Sequence, residues 1–383
     1  MQEELLQFKL VKVWTLVDLP KDKWAIGTKW VYRNKKDERG IVIKNKARLV
    51  AQGHTQVEGI NYNEVFAPVA RIEAIRLFLA YASFKDFVVY QTVVKSAFLK
   101  GSLWTTSSSK SKKELSTEFE KLMHDKFQMS PMGELSFFLG LQVKQKSDEI
   151  FISQDKYVTE ILKKFDFVTV KTTSTPIESN KPLIKDEVAE DVDVHLYKSM
   201  IGSLMYLTTS RPDITFAVCA CARFQVTPNN SHLHGVKRIF RYLKVQPKLG
   251  LWYPKDSPFD LKSYSDSYYT RASLDRKSTT EGCQFLGKRL ISWQCKKQTI
   301  VANSTTEAEY VAAVNCCGQV LWIQNQMLDY RLVIAKDGRC FVDTSKVTTS
   351  NTLLNTVGLT TAWQRTINEM SLRYLSLVDL LTL

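Results

Sequence analysis

The sequence predicts an α+β protein. Three observations carry that class. Residues 24–53 alternate β-branched and aromatic groups around a polar "KKDERG" turn, the pattern of a hairpin. Residues 195–243 read as three helices in series, and short strands over 260–300 run into a long capped helix that begins at Thr305.

Taken in order, the hairpin comes first, with basic residues on both arms. In "RIEAIRLFLAYASFK" the apolar residues Ile72, Ile75, Leu79 and Ala82 fall at helical spacing, and "FVVYQTVVKSAFL" then reads as a buried strand leading into a helix. Leu115, Phe119, Leu122 and Met123 mark another amphipathic helix, followed by the strand-like "LSFFLGLQVKQ" and "EIFISQ". The acidic stretch Asp186 to Asp193 reads as a linker. Beyond it, His195 to Leu207 is predicted helical, Ser210 is a candidate cap for a helix with Pro212 in its first turn, and Ser231 for one running to Leu243. "CQFLGKRLISW" reads as a hairpin around Gly287 and Lys288, and "STTE" at Ser304 to Glu307 as a capping box for the long helix reaching about Leu328. From Arg331 onward no periodicity survives.

A chain of 383 residues, 44% hydrophobic and 11% aromatic, is long enough for two or more domains with cores of their own. Its net charge of +14 is uneven: residues 20–53 hold ten Lys/Arg against three Asp/Glu. Such a patch favours a polyanion, although a solvated Lys-rich face is the ordinary alternative for a single cluster. A second cluster, Lys237, Arg238, Arg241, Lys244 and Lys248, contains no acid and adds weight to nucleic acid. Seven cysteines without a CxxC pair, mostly in apolar surroundings, read as reduced intracellular thiols. No signal-peptide pattern opens the chain and no apolar run reaches a membrane span, so a cytoplasmic or nuclear protein without membrane contact is expected.

"FLKGSLWTTSSSKSKKEL" (Phe98 to Leu115) reads as a seam between a hydrophobic segment and a charged amphipathic one. Around it stand "KARLVAQG" (46–53), "VFAPVAR" (65–71), "VKSAFLKG" (94–101), "FFLGLQV" (137–143), "YKSMIGSLMYLTTSRPDITFAV" (197–218), "HGVKRIFRYLK" (234–244), "YSDSYYTRASLDRKST" (264–279) and "ISWQCKKQTIVANSTTEAEY" (291–310). These strings, in this order, resemble the Pol polyprotein of copia-type retrotransposons over residues 4–330. The resemblance implies reverse transcriptase fingers and N-terminal palm in 1–101, residual palm in 102–180, a linker and helical connection in 181–254, and an incomplete RNase H-like α/β domain in 255–330. Residues 331–383 are left as an unrelated or disordered tail.

Nucleotidyl transfer of this class uses two Mg²⁺ ions held by carboxylates converging within a few ångströms, one from a buried strand and a pair from a hairpin turn. The resemblance puts the first of these just before "VKSAFL", where this chain has Val93. It puts the pair, "YVDD" in the family, where the seam stands. Trp104 is encoded TGG and Thr105 ACN, so a frame moved by one base reads GAC, an Asp; Thr106 and the Ser codons can extend this to V-D-D-I-I. The seam is thus expected to be the catalytic turn read out of frame, from a coding sequence near TGGACGACATCATC, with a palm segment missing before it. Lys46 and Arg48 match family residues that approach the triphosphate of the incoming nucleotide; generic basic strand residues are the plainer reading.

RNase H chemistry also needs about four converging acids around two Mg²⁺. By the resemblance Asp266 in "SYSDS" is the first and Glu309 in "AEY" the second, with neighbouring Glu307 better explained by the capping box. The family's third acid comes on a strand after the long helix. Asp343 in "RCFVDTS" is one candidate for it, a loop Asp in an unrelated tail the commoner outcome. Tyr268, Thr270 and Arg271 replace the small residues usual after the first Asp. His232 and His234, two apart on a helix, face different ways and read as a capped helix start rather than a metal pair. The expected protein is a Pol fragment with its polymerase site lost. An active Mg²⁺-dependent nuclease on RNA-DNA hybrids and a noncatalytic binder of RNA, DNA or their hybrid are the alternatives.

Overall fold

The computed structural model describes residues 24–36, 41–57, 71–91, 107–109, 133–178, 192–269, 276–329 and 341–342, with single positions at 6, 9, 18, 19, 21, 118, 120, 121 and 124. It is a mixed α+β structure. The chain divides into two compact units, Met1–Ala70 with Val94–Trp104, and Arg71–Val93 with Thr105–Leu383.

The first unit contains the predicted hairpin. Strand β1 (Thr28–Lys36) pairs antiparallel with β2 (Val42–Ala51), from Thr28 opposite Ala51 to Lys36 opposite Val42, with a register shift at Lys35/Lys36. A single 3-10 turn, Gly53–Thr55, follows, closed by the Thr55 hydroxyl donating to the Gln52 carbonyl at 2.7 Å.

In the second unit, helix α1 (Ile72–Phe84) buries Leu77, Leu79, Ala80 and Ala82, and ends where Asp86 takes a left-handed φ of 58°. It leads into β3 (Phe87–Gln91), which is flanked by β4 (Ser107–Ser109) and β5 (Gly133–Glu134) in the order β4-β3-β5. A second sheet has the order β6-β7-β8-β9, made of Phe137–Phe138, Leu141–Gln145, Glu149–Ser153 and Gly250–Pro254. The Gln145 amide joins the two sheets: it accepts from the Val89 N–H at 2.8 Å and donates to the carbonyls of Val89 and Leu135. Strand β9 went unpredicted, since "GLWYP" has no alternation. Gly250 is required there because a Cβ would strike the Ile152 carbonyl of the neighbouring strand.

Four helices build a separate core: α2 (Asp155–Lys164), α3 (Val194–Leu207), α4 (Pro212–Ala222) and α5 (Asn230–Val245), packed through Val158, Ile161, Met200, Leu204, Val218 and Phe240. The series α3 to α5 was predicted, but its caps differ. Ser210 does not cap α4; its hydroxyl donates to Gln154 Oε1 at 2.7 Å, and Arg211 occupies the N-cap position with Pro212 following. Asn229, not Ser231, caps α5: it accepts from the His232 N–H, and its own N–H donates to His232 Nδ1, each at 3.1 Å. His232 thus belongs to a capping box, as its place at a helix start suggested.

The last sheet has the order β12-β11-β10-β13. Strands β10 (Leu261–Tyr268), β11 (Thr279–Leu286) and β12 (Arg289–Lys297) are antiparallel, and Gly287, at a φ of 62°, makes the predicted turn between the last two. Helix α6 (Thr305–Asp329) lays Ala308, Ala312, Cys316, Val320, Ile323 and Met327 against this sheet, a stripe at helical spacing. Its predicted cap is present: the Glu307 N–H donates to Ser304 Oγ, and the Glu307 carboxylate accepts from the Asn303 N–H at 2.6 Å. Strand β13 (Phe341–Val342) runs parallel to β10, with Phe341 opposite Lys262.

Buried cations tie these layers together. The Arg76 guanidinium on α1 donates to the carbonyls of Thr209 at 2.7 Å and Ile291 at 3.2 Å and lies 3.7 Å from the ring centre of Trp293. Arg211 forms a two-point contact with Asp213, at 2.9 and 2.6 Å, and donates to the Gln246 carbonyl. Burial pulls this guanidinium down, but the Asp213 charge and hydrogen bonds outweigh it, so Arg211 holds its proton more tightly than usual. Removing one partner of such a pair leaves an uncompensated buried charge. Asp213→Asn is therefore expected to cost about 3 kcal/mol in denaturant unfolding, whereas Arg211→Met with Asp213→Leu costs less than the single change.

Candidate functional sites

The seam lies against β3. Phe87, Val88 and Val89 pair with Ser109, Ser108 and Ser107, while Tyr90 and Gln91 pair with Glu134 and Gly133. Val93, Trp104, Thr105 and Thr106 lie outside the described residues. Among the described residues of this sheet the only acid is Glu134, which is exposed.

The hairpin sorts its residues by face. Directly opposed residues of an antiparallel pair share a face, and that face alternates along the strand. One face therefore carries Trp30, Tyr32, Ala47 and Leu49, with the Trp30 and Tyr32 rings stacked at 6.4 Å. The other carries Lys29, Val31, Arg33, Arg48 and Val50, with the positions of Lys35, Lys44 and Lys46 in the same rows. Neither strand contains an acid. Arg33 stands opposite Lys46 and Lys35 opposite Lys44, and like charges across a ladder destabilise it. The arrangement favours an anion arriving from outside. Arg48 is exposed, as a phosphate-binding role requires.

The second basic cluster is committed in part to the protein itself. Arg238 donates to the Thr175 carbonyl and hydroxyl and pairs with Glu178 at 2.8 Å, and Lys244 donates to the Val170 carbonyl at 2.9 Å. Two of its five cations thus hold residues 170–178 onto α5. The absence of acids between residues 237 and 248 does not leave the whole cluster without counter-charge, because Glu178 pairs with Arg238 from elsewhere in the chain.

Asp266 and Glu309 are brought together. Asp266 sits near the end of β10, opposite Glu281, and accepts from the Ser267 N–H at 2.7 Å. Glu309 lies on the first turns of α6, where the small buried residues Ala308 and Ala312 let the helix approach β10 and β11 closely. Partial burial, and after it the negative charge of Asp266, push the Glu309 carboxyl above its ordinary range. Glu307 is occupied by its cap, so of the two neighbouring acids Glu309 is the one that faces Asp266. Sequence reasoning missed Glu281, whose strand "TTEGCQFL" gives no sign that its acid is buried opposite Asp266. The Cys295 thiol donates to it at 3.6 Å.

Among the described residues no group of three or more His, Cys, Asp and Glu side chains could hold a metal ion. Asp266 and Glu309 therefore do not by themselves make the two-Mg²⁺ site that the resemblance implies, and no hydrolytic step follows from them. Asp343, Thr270 and Arg271 lie outside the described residues. Tyr268 is buried, 6.2 Å from the ring of Phe216, and fills space where the family has small residues. No helix among the described residues is long and apolar enough to cross a membrane.

The reverse transcriptase (RNA-dependent DNA polymerase) family matches in two stretches, residues 11–108 and 105–179. The chain is 29% identical to the retrovirus-related Pol polyprotein from transposon TNT 1-94 of Nicotiana tabacum, over 90% of this chain and 33% of that protein. It is 27% identical to the Pol polyprotein from transposon RE1 of Arabidopsis thaliana, over 81% of this chain and 26% of that protein. It is also 34% identical to an uncharacterized mitochondrial protein of Arabidopsis thaliana, covering 51% of this chain and 81% of that protein. The chain thus spans only about a third or less of the two Pol polyproteins. No solved structure matches it. The chain is a relative of the copia-type retrotransposon Pol polyproteins that carries a reverse transcriptase domain of the RNA-dependent DNA polymerase family.

Proposed function

We propose that this protein is a retrotransposon Pol fragment whose polymerase centre is lost and whose remaining activity is to bind RNA, DNA or their hybrid. The carrying observation is the break in the family match, whose two stretches meet at residues 105–108, within the seam. The tobacco alignment runs over 437 positions although only 90% of a 383-residue chain takes part, which is consistent with an internal deletion. Val93 stands where the resemblance puts the first carboxylate, and a Val side chain cannot ligate Mg²⁺. Loss of the metal ligands removes far more than the few kcal/mol of transition-state stabilisation that separate a working enzyme from one a thousandfold slower.

Binding rests on the hairpin. Its acid-free face, with Lys29, Arg33 and Arg48, suits a phosphate backbone, and Lys46 lies in the same rows. A second reading keeps nuclease activity. It is favoured by the juxtaposition of Asp266 and Glu309, and by β13, a strand after the long helix paired to the strand of Asp266. Asp343 follows β13 directly in sequence and would be the third acid.

Primer extension on an RNA template with Mg²⁺ is expected to give no product. Cloned coding DNA should read near TGGACGACATCATC across the seam; codons unable to spell two Asp in the shifted frame would refute its out-of-frame origin. A labelled RNA-DNA hybrid is expected to bind and remain intact. Cleavage that disappears in the Asp266→Asn, Glu309→Gln double variant would establish the second reading instead. Replacing Arg33 and Arg48 by Gln is expected to lower the slope of log affinity against log salt by about 2, roughly 0.9 for each phosphate no longer neutralised. An unchanged slope would remove the hairpin from the binding surface.

A further inference from the structure

Helix α4 docks on the last sheet through residues spaced one turn apart. Trp293 Nε1 on β12 donates to Thr215 Oγ1 on α4 at 3.2 Å, and Arg223, immediately after the helix, donates to Thr279 Oγ1 on β11 at 2.8 Å. Between them on the same helix face lies Cys219, four residues from each. Four residues of helix advance about 6 Å, and two residues of strand about 6.6 Å. A helix with Thr215 over Trp293 therefore sets Cys219 over the residue two beyond Trp293, which is Cys295. The two thiols are hydrogen-bond partners there. Thr279, Lys297, Glu281 and Cys295 lie in neighbouring rows of β11 and β12, so the pair sits on the sheet itself.

We propose that Cys219 and Cys295 form a redox dithiol, which a hydroperoxide closes into a disulfide that staples α4 to β12. The chemistry of the surroundings is divided between the partners. The hydrogen bond with Cys295 and then the charge of Arg223 hold the Cys219 thiol below its ordinary range against the opposing effect of burial. Cys295 is held up by that same bond, by burial and by Glu281. Cys219 is the nucleophile. Its thiolate attacks one peroxide oxygen, the O–O bond breaks, and the departing oxide takes a proton to leave as water or alcohol, giving a sulfenic acid. The Cys295 sulfur then displaces the sulfenic oxygen as water, with its thiol proton transferred to that oxygen. Two thiols are oxidised by two electrons and one peroxide is reduced. Glu281, which accepts from the Cys295 thiol, is placed to relay that proton to the departing oxygen. Of the other cysteines, Cys221 is buried with its thiol pushed up to about 12, and Cys283 is buried near Cys316, which meets the Ser263 hydroxyl at 2.7 Å.

The test uses the full chain, reduced and then treated with hydrogen peroxide at a small molar excess. The expected result is the loss of two of its seven thiols, their recovery with dithiothreitol, and a disulfide-linked peptide joining Cys219 to Cys295. Cys295→Ser should instead leave Cys219 as a sulfenic acid that dimedone traps, and Cys221→Ser should retain the disulfide. Oxidation of Cys219 to a sulfinic acid in the unmodified protein while Cys295 remains a thiol would overturn the proposal. So would a linkage joining any other pair, a result that depends on no variant folding.

Discussion

The buried guanidinium of Arg76 is the contact on which the second unit depends most. A helix surface presents side chains, but the carbonyls just after a helix and the carbonyl at a strand irregularity need donors. Arg76 supplies both from one side chain, to Thr209 after α3 and to Ile291 on β12. The helix that carries it also donates from Ser83 to the Tyr253 carbonyl on β9 at 2.8 Å, and the Tyr253 hydroxyl donates to Leu290 on β12 at 2.7 Å. Three elements far apart in sequence, α3, β9 and β12, are thereby tied to α1. Burial lowers the Arg76 guanidinium to about 10, which still leaves it charged at neutral pH, and the Trp293 ring provides a face that an ammonium would use less well.

What the sequence revealed, and what it hid, follows from the range of each interaction. Helix α6 was legible because its signals are local: the Ser304/Glu307 cap and a buried stripe repeating every turn. The β11–β12 hairpin was legible because Gly287 is demanded by one dihedral angle and by the Pro258 carbonyl against which any Cβ would press. Strand β9 was hidden because its edges are satisfied by β8, about a hundred residues earlier in the chain, and because it is buried on both faces and so shows no alternation. Of the candidate site, the identities of Asp266 and Glu309 came from family strings. Their proximity required the fold.

The same distinction explains why a domain would keep its shape if its catalytic carboxylates were replaced. The cores are built from buried apolar residues such as Leu77, Ile152, Leu251 and Phe285. Catalytic carboxylates converge against their own repulsion and are held for function rather than for stability. Replacing one by Val removes repulsion and adds an apolar side chain. The fold therefore offers little resistance to such a change, whereas it strongly resists change at Arg211 or Asp213.

Asp266 and Glu309 are the opposite case. They come from a strand and a helix more than forty residues apart, and each raises the cost of ionising the other. The fold does not need this pair: α6 is already held by its capping box and its apolar stripe, and β10 by its ladder with β11. A like-charged contact that stability does not require is one that a cation or a polyanion would balance, so the end of β10 owes its arrangement to something other than the packing around it.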